Sequence, residues 1–229
     1  MTTTLITGAN KGLGHETARQ LIAAGHTVYV GARDEQRGKE AAAQLGARFV
    51  LIDVTSDESA DAAATQLRDE AGGLDVLVNN AGISDGRTPA GELTAVGLRT
   101  LYETNVFGVV RVTHAFLPLL QASDAPVIVN VSSGLGSFGV ITDPDWMEYQ
   151  TPAYSSAKAA VNMLTAQYAK ALPQLRINAV DPGYTGTDFN AHRGTQSVEE
   201  GAEVIVRMAQ IGPDGPTGGF FDRHGAVSW

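Results

Sequence analysis

The chain contains no cysteine. That removes disulfides, thiolate metal ligands and cysteine nucleophiles together, and accords with a reducing compartment. Positive charge is also scarce: 16 Lys and Arg against 25 Asp and Glu leave a formal charge of −9. A general nucleic-acid footprint is therefore opposed, because phosphate binding needs a clustered positive surface. Long apolar runs are missing too, none reaching the roughly 18 to 20 residues that span a bilayer. The opening MTTTLITGAN has no basic region, apolar stretch or cleavage site of a signal peptide. The expectation is a cytoplasmic protein with neither membrane nor nucleic-acid partners and no metal.

What is present has the make-up of a folded domain, with 43% hydrophobic and 18% charged residues. A length of 229 residues suits one sizeable α/β domain spanning 1–229 and leaves no room for a second full one. Short apolar runs at 5–7, 28–30, 49–52, 76–78, 127–131 and 177–180 read as buried parallel strands. Between them, Ala-rich stretches with helical spacing cover 12–24, 35–45, 57–71, 94–121 and 152–172, with a further helix at 197–210. Thr151 is placed to cap the helix at 152, and Pro152 suits its first position, where no backbone donor is needed. Pro118 is expected to kink or end the helix from 94. A Gly- and Pro-rich loop at 211–219 precedes a last short strand near Phe220. The pattern predicts a doubly wound Rossmann-type parallel sheet of about seven strands with helices on both faces.

The first strand runs into Thr7-Gly8-Ala9-Asn10-Lys11-Gly12-Leu13-Gly14, and a helix begins at once. Glycines there allow a tight turn and close backbone approach to a pyrophosphate, while the helix start offers amide donors at a positive dipole end. The spacing differs from G-x-G-x-x-G, so a Gly-rich connection without a ligand is the plain alternative; the position after the first strand favours a dinucleotide. The second strand ends in Gly31-Ala32-Arg33, without the carboxylate that would hold the ribose hydroxyls of NAD. Arg33, with Lys11 and Arg37, instead offers cations to the 2′-phosphate of NADP(H). Asp34 works against this, and ordinary surface cations are the alternative.

Other polar groups stand at later strand ends: Asp53, Asn79-Asn80-Ala81-Gly82, Ser132-Ser133 and Pro182-Gly183. Singly each reads as a turn or cap residue. Together they face one crevice, because ligands of open parallel sheets bind outside the carboxyl ends of the strands. In Tyr154-Ser155-Ser156-Ala157-Lys158, the i, i+4 separation sets Tyr154 and Lys158 on one helix face. An ammonium near a phenol favours the phenolate and so tunes the group for proton transfer. Alone, such a pair is usually a solvated one.

The ordered set Thr7-Gly8-x-x-x-Gly12-x-Gly14, Asn79-Asn80-Ala81-Gly82, Asn105 in Glu103-Thr104-Asn105-Val106-Phe107-Gly108, Val131-Ser132-Ser133, Tyr154-x-x-x-Lys158 and Pro182-Gly183 resembles the short-chain dehydrogenase/reductase family, main branch. It is similar to the NADPH-dependent carbonyl reductases within that family, along essentially the whole chain. The resemblance implies a catalytic set of Asn105, Ser133, Tyr154 and Lys158. Tyr154 is then the general acid in reduction and the base in oxidation, Lys158 lowers its pKa and holds the nicotinamide ribose, and Ser133 holds the substrate carbonyl oxygen. Asn105 anchors a water in a proton relay ending at Lys158. Cofactor contacts are implied for Gly8, Asn10, Lys11, Gly12, Leu13 and Gly14, for Arg33 and Arg37, and for Asp53 and Val54 at the adenine. Asn80, Ala81 and Gly82 belong to the ribose region, and Pro182, Gly183, Thr185 and Thr187 to the nicotinamide. Ser84, Trp146, Tyr184 and Phe189 are candidates for the substrate, a small carbonyl compound or alcohol.

Departures from the family pattern matter as well. Ser133 and Tyr154 lie 21 positions apart, more than the family's usual spacing, so a segment at about 138–150 is inserted before the tyrosine. It either lines a substrate pocket or is a solvent-exposed excursion with a packed Trp. The insertion leaves homodimer, homotetramer and monomer open, since relatives pair through the helices near 94–121 and 152–172. Two other functions use the same residues: an NADP(H)-binding redox sensor without turnover, and an alcohol dehydrogenase working in the oxidative direction. A methyltransferase, whose sheet also carries a Gly-rich first turn, leaves Tyr154 and Lys158 unexplained.

Overall fold

The computed structural model describes residues 2–84, 88–144 and 150–229. Seven parallel strands form one sheet in the order β3-β2-β1-β4-β5-β6-β7. They are β1 (Thr3–Thr7), β2 (Thr27–Ala32), β3 (Arg48–Leu51), β4 (Val76–Asn79), β5 (Val127–Val131), β6 (Arg176–Val180) and β7 (Phe220–Phe221). Between them run α1 (Gly12–Ala23), α2 (Glu35–Leu45), α3 (Asp57–Ala71), α4 (Ala95–Tyr102), α5 (Gly108–Gln121), α6 (Phe138–Ile141), α7 (Pro152–Ala171) and α8 (Val198–Ala209).

The central strands are buried along most of their length because both faces of the sheet are covered there. Ile6, Val28, Val30, Val78 and Val129 pack in one core with residues of α1, α2 and α8. Their neighbours Leu5, Tyr29, Leu77 and Ile128 pack in a second core with residues of α3 and α5. The two-residue period of the strand sorts alternate side chains between the layers. The strand order reverses at β1, which pairs with β2 on one side and β4 on the other. A crevice is left there beyond the carboxyl ends of the strands.

The fold departs from the sequence expectation at three places. The helix expected over 94–121 is interrupted at residues 103–107 by a π turn, in which the Gly108 N–H bonds back to the Glu103 carbonyl. Pro118 does not end it: α5 continues past that residue to Gln121, giving up the one N–H bond that proline cannot make. Thr151 occupies the N-cap of α7 but makes no capping bond; its hydroxyl pairs with Ser155 Oγ at 2.9 Å instead. Of the segment at 138–150, the first residues form α6. Trp146 lies outside the described residues. Among those residues no helix is long and apolar enough to cross a membrane.

Candidate active site

The site is built from strand ends. Thr7, the last residue of β1, accepts the N–H groups of Asn80 and Ala81 on its hydroxyl, each at 3.0 Å, and so pins the end of β4 to the end of β1. The Asn80 carboxamide donates to the Thr7 carbonyl at 2.8 Å and the Gly8 carbonyl at 3.2 Å, which braces the Gly-rich turn from below. The turn itself needs left-handed backbone at Gly8 and Gly12, with φ of 66° and 58°. Beyond it α1 begins without a side-chain cap or an acidic residue in its first turn. By contrast α2, α3, α4 and α8 are capped by Asp34, Ser56, Thr94 and Ser197. The first amides of α1 are left facing a cavity.

That cavity, of about 920 Å³, opens over the strand ends, at the upper end of the roughly 300 to 1,000 Å³ of small-molecule sites. On its walls stand Gly8, Asn10, Lys11, Gly12, Leu13 and Gly14 from the turn and α1, and Arg33, Asp53 and Val54 from the ends of β2 and β3. Asn80, Ala81, Gly82 and Ser84 follow from the end of β4. Ser133, Tyr154 and Lys158 join them, with Pro182, Gly183, Tyr184, Thr185, Thr187 and Phe189 closing the far side. A glycine turn, uncapped helix amides and an arginine in one cavity fit an anionic dinucleotide. Among the described residues no group of His, Asp or Glu is arranged to hold a metal.

Several side chains are committed in ways the sequence did not disclose. Arg37 is absent from the cavity wall; it sits 3.7 Å from the Asp34 carboxylate, which caps α2 through the Arg37 N–H. Lys11 lines the cavity but pairs with Asp188 at 2.9 Å, tying the segment after β6 to the Gly-rich turn. Asn105 also lies off the wall. It is buried in the π turn, where its carboxamide accepts from the Ile83 N–H and donates to the Ile83 carbonyl, both at 2.8 Å. Asp53 accepts from the Thr55 N–H and hydroxyl. Burial opposes its charge, but those bonds, with Arg33 and Arg111, leave the carboxyl below its ordinary range. Arg111 fixes the neighbouring loop, donating to the Val54 carbonyl at 2.6 Å while pairing with Asp57 and Glu103.

The centre of the cavity is held by a buried polar network. Asn79 donates to Asn130 at 2.9 Å, and Asn130 donates to Thr165 at 2.9 Å, joining β4, β5 and α7. Ser132 donates to Asn162 at 2.5 Å, and Asn162 to the Gly136 carbonyl at 3.2 Å, fastening α7 to the loop after β5. Thus clamped, α7 presents Tyr154 and Lys158. The Lys158 ammonium donates to the Val131 carbonyl at 2.7 Å and lies 5.6 Å from the Tyr154 ring centroid. Tyr154 stands beside Ser133 and against Phe189, whose ring centroid is 5.7 Å away.

Burial sets the electrostatics of this pair. It drives the Tyr154 phenol well above the ordinary tyrosine range, with the Asp181 charge acting the same way and Ser133 opposing. It also draws the Lys158 ammonium down to about 8, against the pull of Asp181. Desolvation of the phenol outweighs the other influences on it. Asp181, also on the wall, went unselected in the sequence, though its place at the end of β6 beside Pro182-Gly183 was a usable signal.

A family model described as short chain dehydrogenase matches residues 2–198. The chain is 42% identical over 224 residues to short-chain dehydrogenase anuI of Penicillium roqueforti (strain FM164), covering 91% of this chain and 88% of the other. It is 33% identical to (−)-isopiperitenone reductase of Mentha piperita, covering 98% and 97%. That alignment runs over 305 positions against 229 residues here, so the Mentha protein carries segments without counterpart. Among solved structures, the NADPH-bound carbonyl reductase from chicken fatty liver matches with a TM-score of 0.89 at 26% identity, covering 100% of this chain and 99% of that one.

Proposed function

The chain belongs to the short-chain dehydrogenase family, oxidoreductases that use NAD(P)(H), and from that premise we propose that it reduces the carbonyl of a small aldehyde, ketone or quinone with NADPH. The whole chain acts as one dinucleotide-binding and catalytic domain. The first amides of α1 hold the pyrophosphate, Arg33 the 2′-phosphate, and Asp53 and Val54 the adenine. Lys158 holds the nicotinamide ribose, and the Pro182-Gly183 turn with Thr185 and Thr187 holds the nicotinamide. When bound, that ring supplies hydride to the carbonyl carbon.

The residues of the chain deal with the other half of the reaction. Negative charge grows on the substrate oxygen, and Ser133 and Tyr154 donate hydrogen bonds to it. Tyr154 then gives up its phenolic proton to that oxygen. Asn105, whose side chain is engaged by Ile83, anchors a water in a proton relay ending at Lys158. The observation that carries this reading is the cavity itself, which sets Tyr154, Ser133 and Lys158 on one wall with the Gly-rich turn and Arg33. NADPH consumption against aldehydes, ketones and menadione, with NADH in parallel, tests the proposal. Tyr154→Phe should lower turnover by roughly 10²- to 10⁴-fold while NADPH affinity stays within a few-fold. Near-normal turnover in that variant removes Tyr154 from the chemistry, and tight NADPH binding without reduction of any carbonyl favours the sensor.

A further inference from the structure

Asp181 follows β6 and precedes the Pro182-Gly183 turn. Its backbone is fixed by β7, since its N–H donates to the Phe221 carbonyl at 2.8 Å. Its carboxylate is shared between two loops. Oδ1 accepts the Gly183 N–H at 3.0 Å, and the carboxylate also faces Gly134. Oδ2 lies so near Gly134 that a Cβ there would stand 2.8 Å from it. Gly134 is the residue after Ser133, so one side chain joins the turn after β6 to the loop that carries the serine. A carboxylate can accept at both oxygens, whereas an asparagine in the same place would turn its NH₂ toward Gly183 or Gly134.

The charged and titratable groups facing Asp181 are Lys158 and Tyr154 from α7 and Asp222 from the segment after β7. Burial lifts the Asp181 carboxyl above its ordinary range and Asp222 adds to this, while the amides of Gly183 and Gly134 and Lys158 hold it down. In turn the Asp181 charge favours the ammonium form of Lys158. We propose that Asp181 is a positioning residue of the reduction, holding the Ser133 loop and the Pro182-Gly183 turn together and presenting a fixed negative charge to Lys158. The proposal rests on the roles of Ser133, Tyr154 and Lys158 given above.

The test reads Lys158 directly as well as through turnover. With only four lysines in the chain, ¹³C-ε lysine labelling and a Lys158→Met control assign the Lys158 resonance, and its titration is followed in the wild type and in Asp181→Asn. The midpoint should fall by about one pH unit when the charge is removed. The alkaline limb of kcat for menadione reduction by NADPH should move with it, while the KM for NADPH at pH 6.5 stays within about threefold. Gly134→Ala keeps every charge but crowds Oδ2; there kcat should fall by about tenfold with the Lys158 midpoint unmoved. An unmoved midpoint in Asp181→Asn overturns the proposal. If Asp181→Asn does not fold, Gly134→Ala decides, and wild-type kcat in that variant overturns it. A shifted midpoint in a protein that reduces no carbonyl overturns the functional reading and leaves the Asp181–Lys158 coupling standing.

Discussion

A buried ammonium makes stability depend on pH in a direction that can be worked out. Unfolded, Lys158 holds its proton up to about 10.5; folded, it holds it only to about 8. At 1.36 kcal/mol per pKa unit, the full difference is about 3 kcal/mol working against the folded protein at neutral pH. Between the two values the unfolded chain binds the extra proton, so raising the pH favours the folded state. Stability attributable to Lys158 should therefore climb by about 2 kcal/mol from pH 7 to about pH 9.5, and be flat below pH 7. Lys158→Met removes the titration. It also leaves the Val131 carbonyl, bonded to the ammonium at 2.7 Å, without that partner, at a cost of roughly 1 to 3 kcal/mol. That cost offsets the variant by a constant and does not alter the slope. Urea denaturation of both proteins across the range isolates the Lys158 contribution as the difference between them, because groups common to both cancel. A difference that stays constant from pH 7 to pH 9.5 refutes the reasoning.

Arg33→Ala should raise the KM for NADPH by roughly ten- to hundredfold, the worth of a charge-assisted contact, with that for NADH little changed; Arg37→Ala, off the cavity wall and beside Asp34, should change neither. Steady-state kinetics with both cofactors checks this. Asn130→Ala removes the link between Asn79 and Thr165 inside the core. It should lower unfolding free energy by about 1 to 3 kcal/mol, read from the urea midpoint at unchanged m-value.

The strands were legible because the central ones serve two cores, so their residues are mostly apolar, and the turns between them are marked by glycine, proline and capping residues. The break at residues 103–107 was not legible. A π turn adds one residue to the helical cycle, and an apolar pattern that slips by one residue still looks helical over a window of several turns. The same holds for Asn80 and Asn105. Asn80 was visible at a strand end and Asn105 within a helical stretch, but each spends its carboxamide on main-chain atoms, Thr7 with Gly8 in one case and Ile83 in the other. Those partners are remote in sequence and are chosen by the packing of β1, β4 and the π turn.

The pair Tyr154 and Lys158 shows why motif and chemistry can part company. The i, i+4 spacing fixes that the two share a face, and from proximity alone the ammonium should favour the phenolate. Desolvation acts on both groups at once and in opposite senses, and it comes from what stands against that face: Phe189 after β6 and the Ser133 loop after β5. In water a tyrosine and a lysine lose their protons almost together, at about 10 and 10.4. In this cavity the order separates, the phenol rising well beyond its usual range while the ammonium falls to about 8. On raising the pH, the amine gives up its proton first and the phenol keeps its own. Giving up that proton in reduction and starting without it in oxidation both pass through a phenolate in the same surroundings, so burial weighs on the two directions alike.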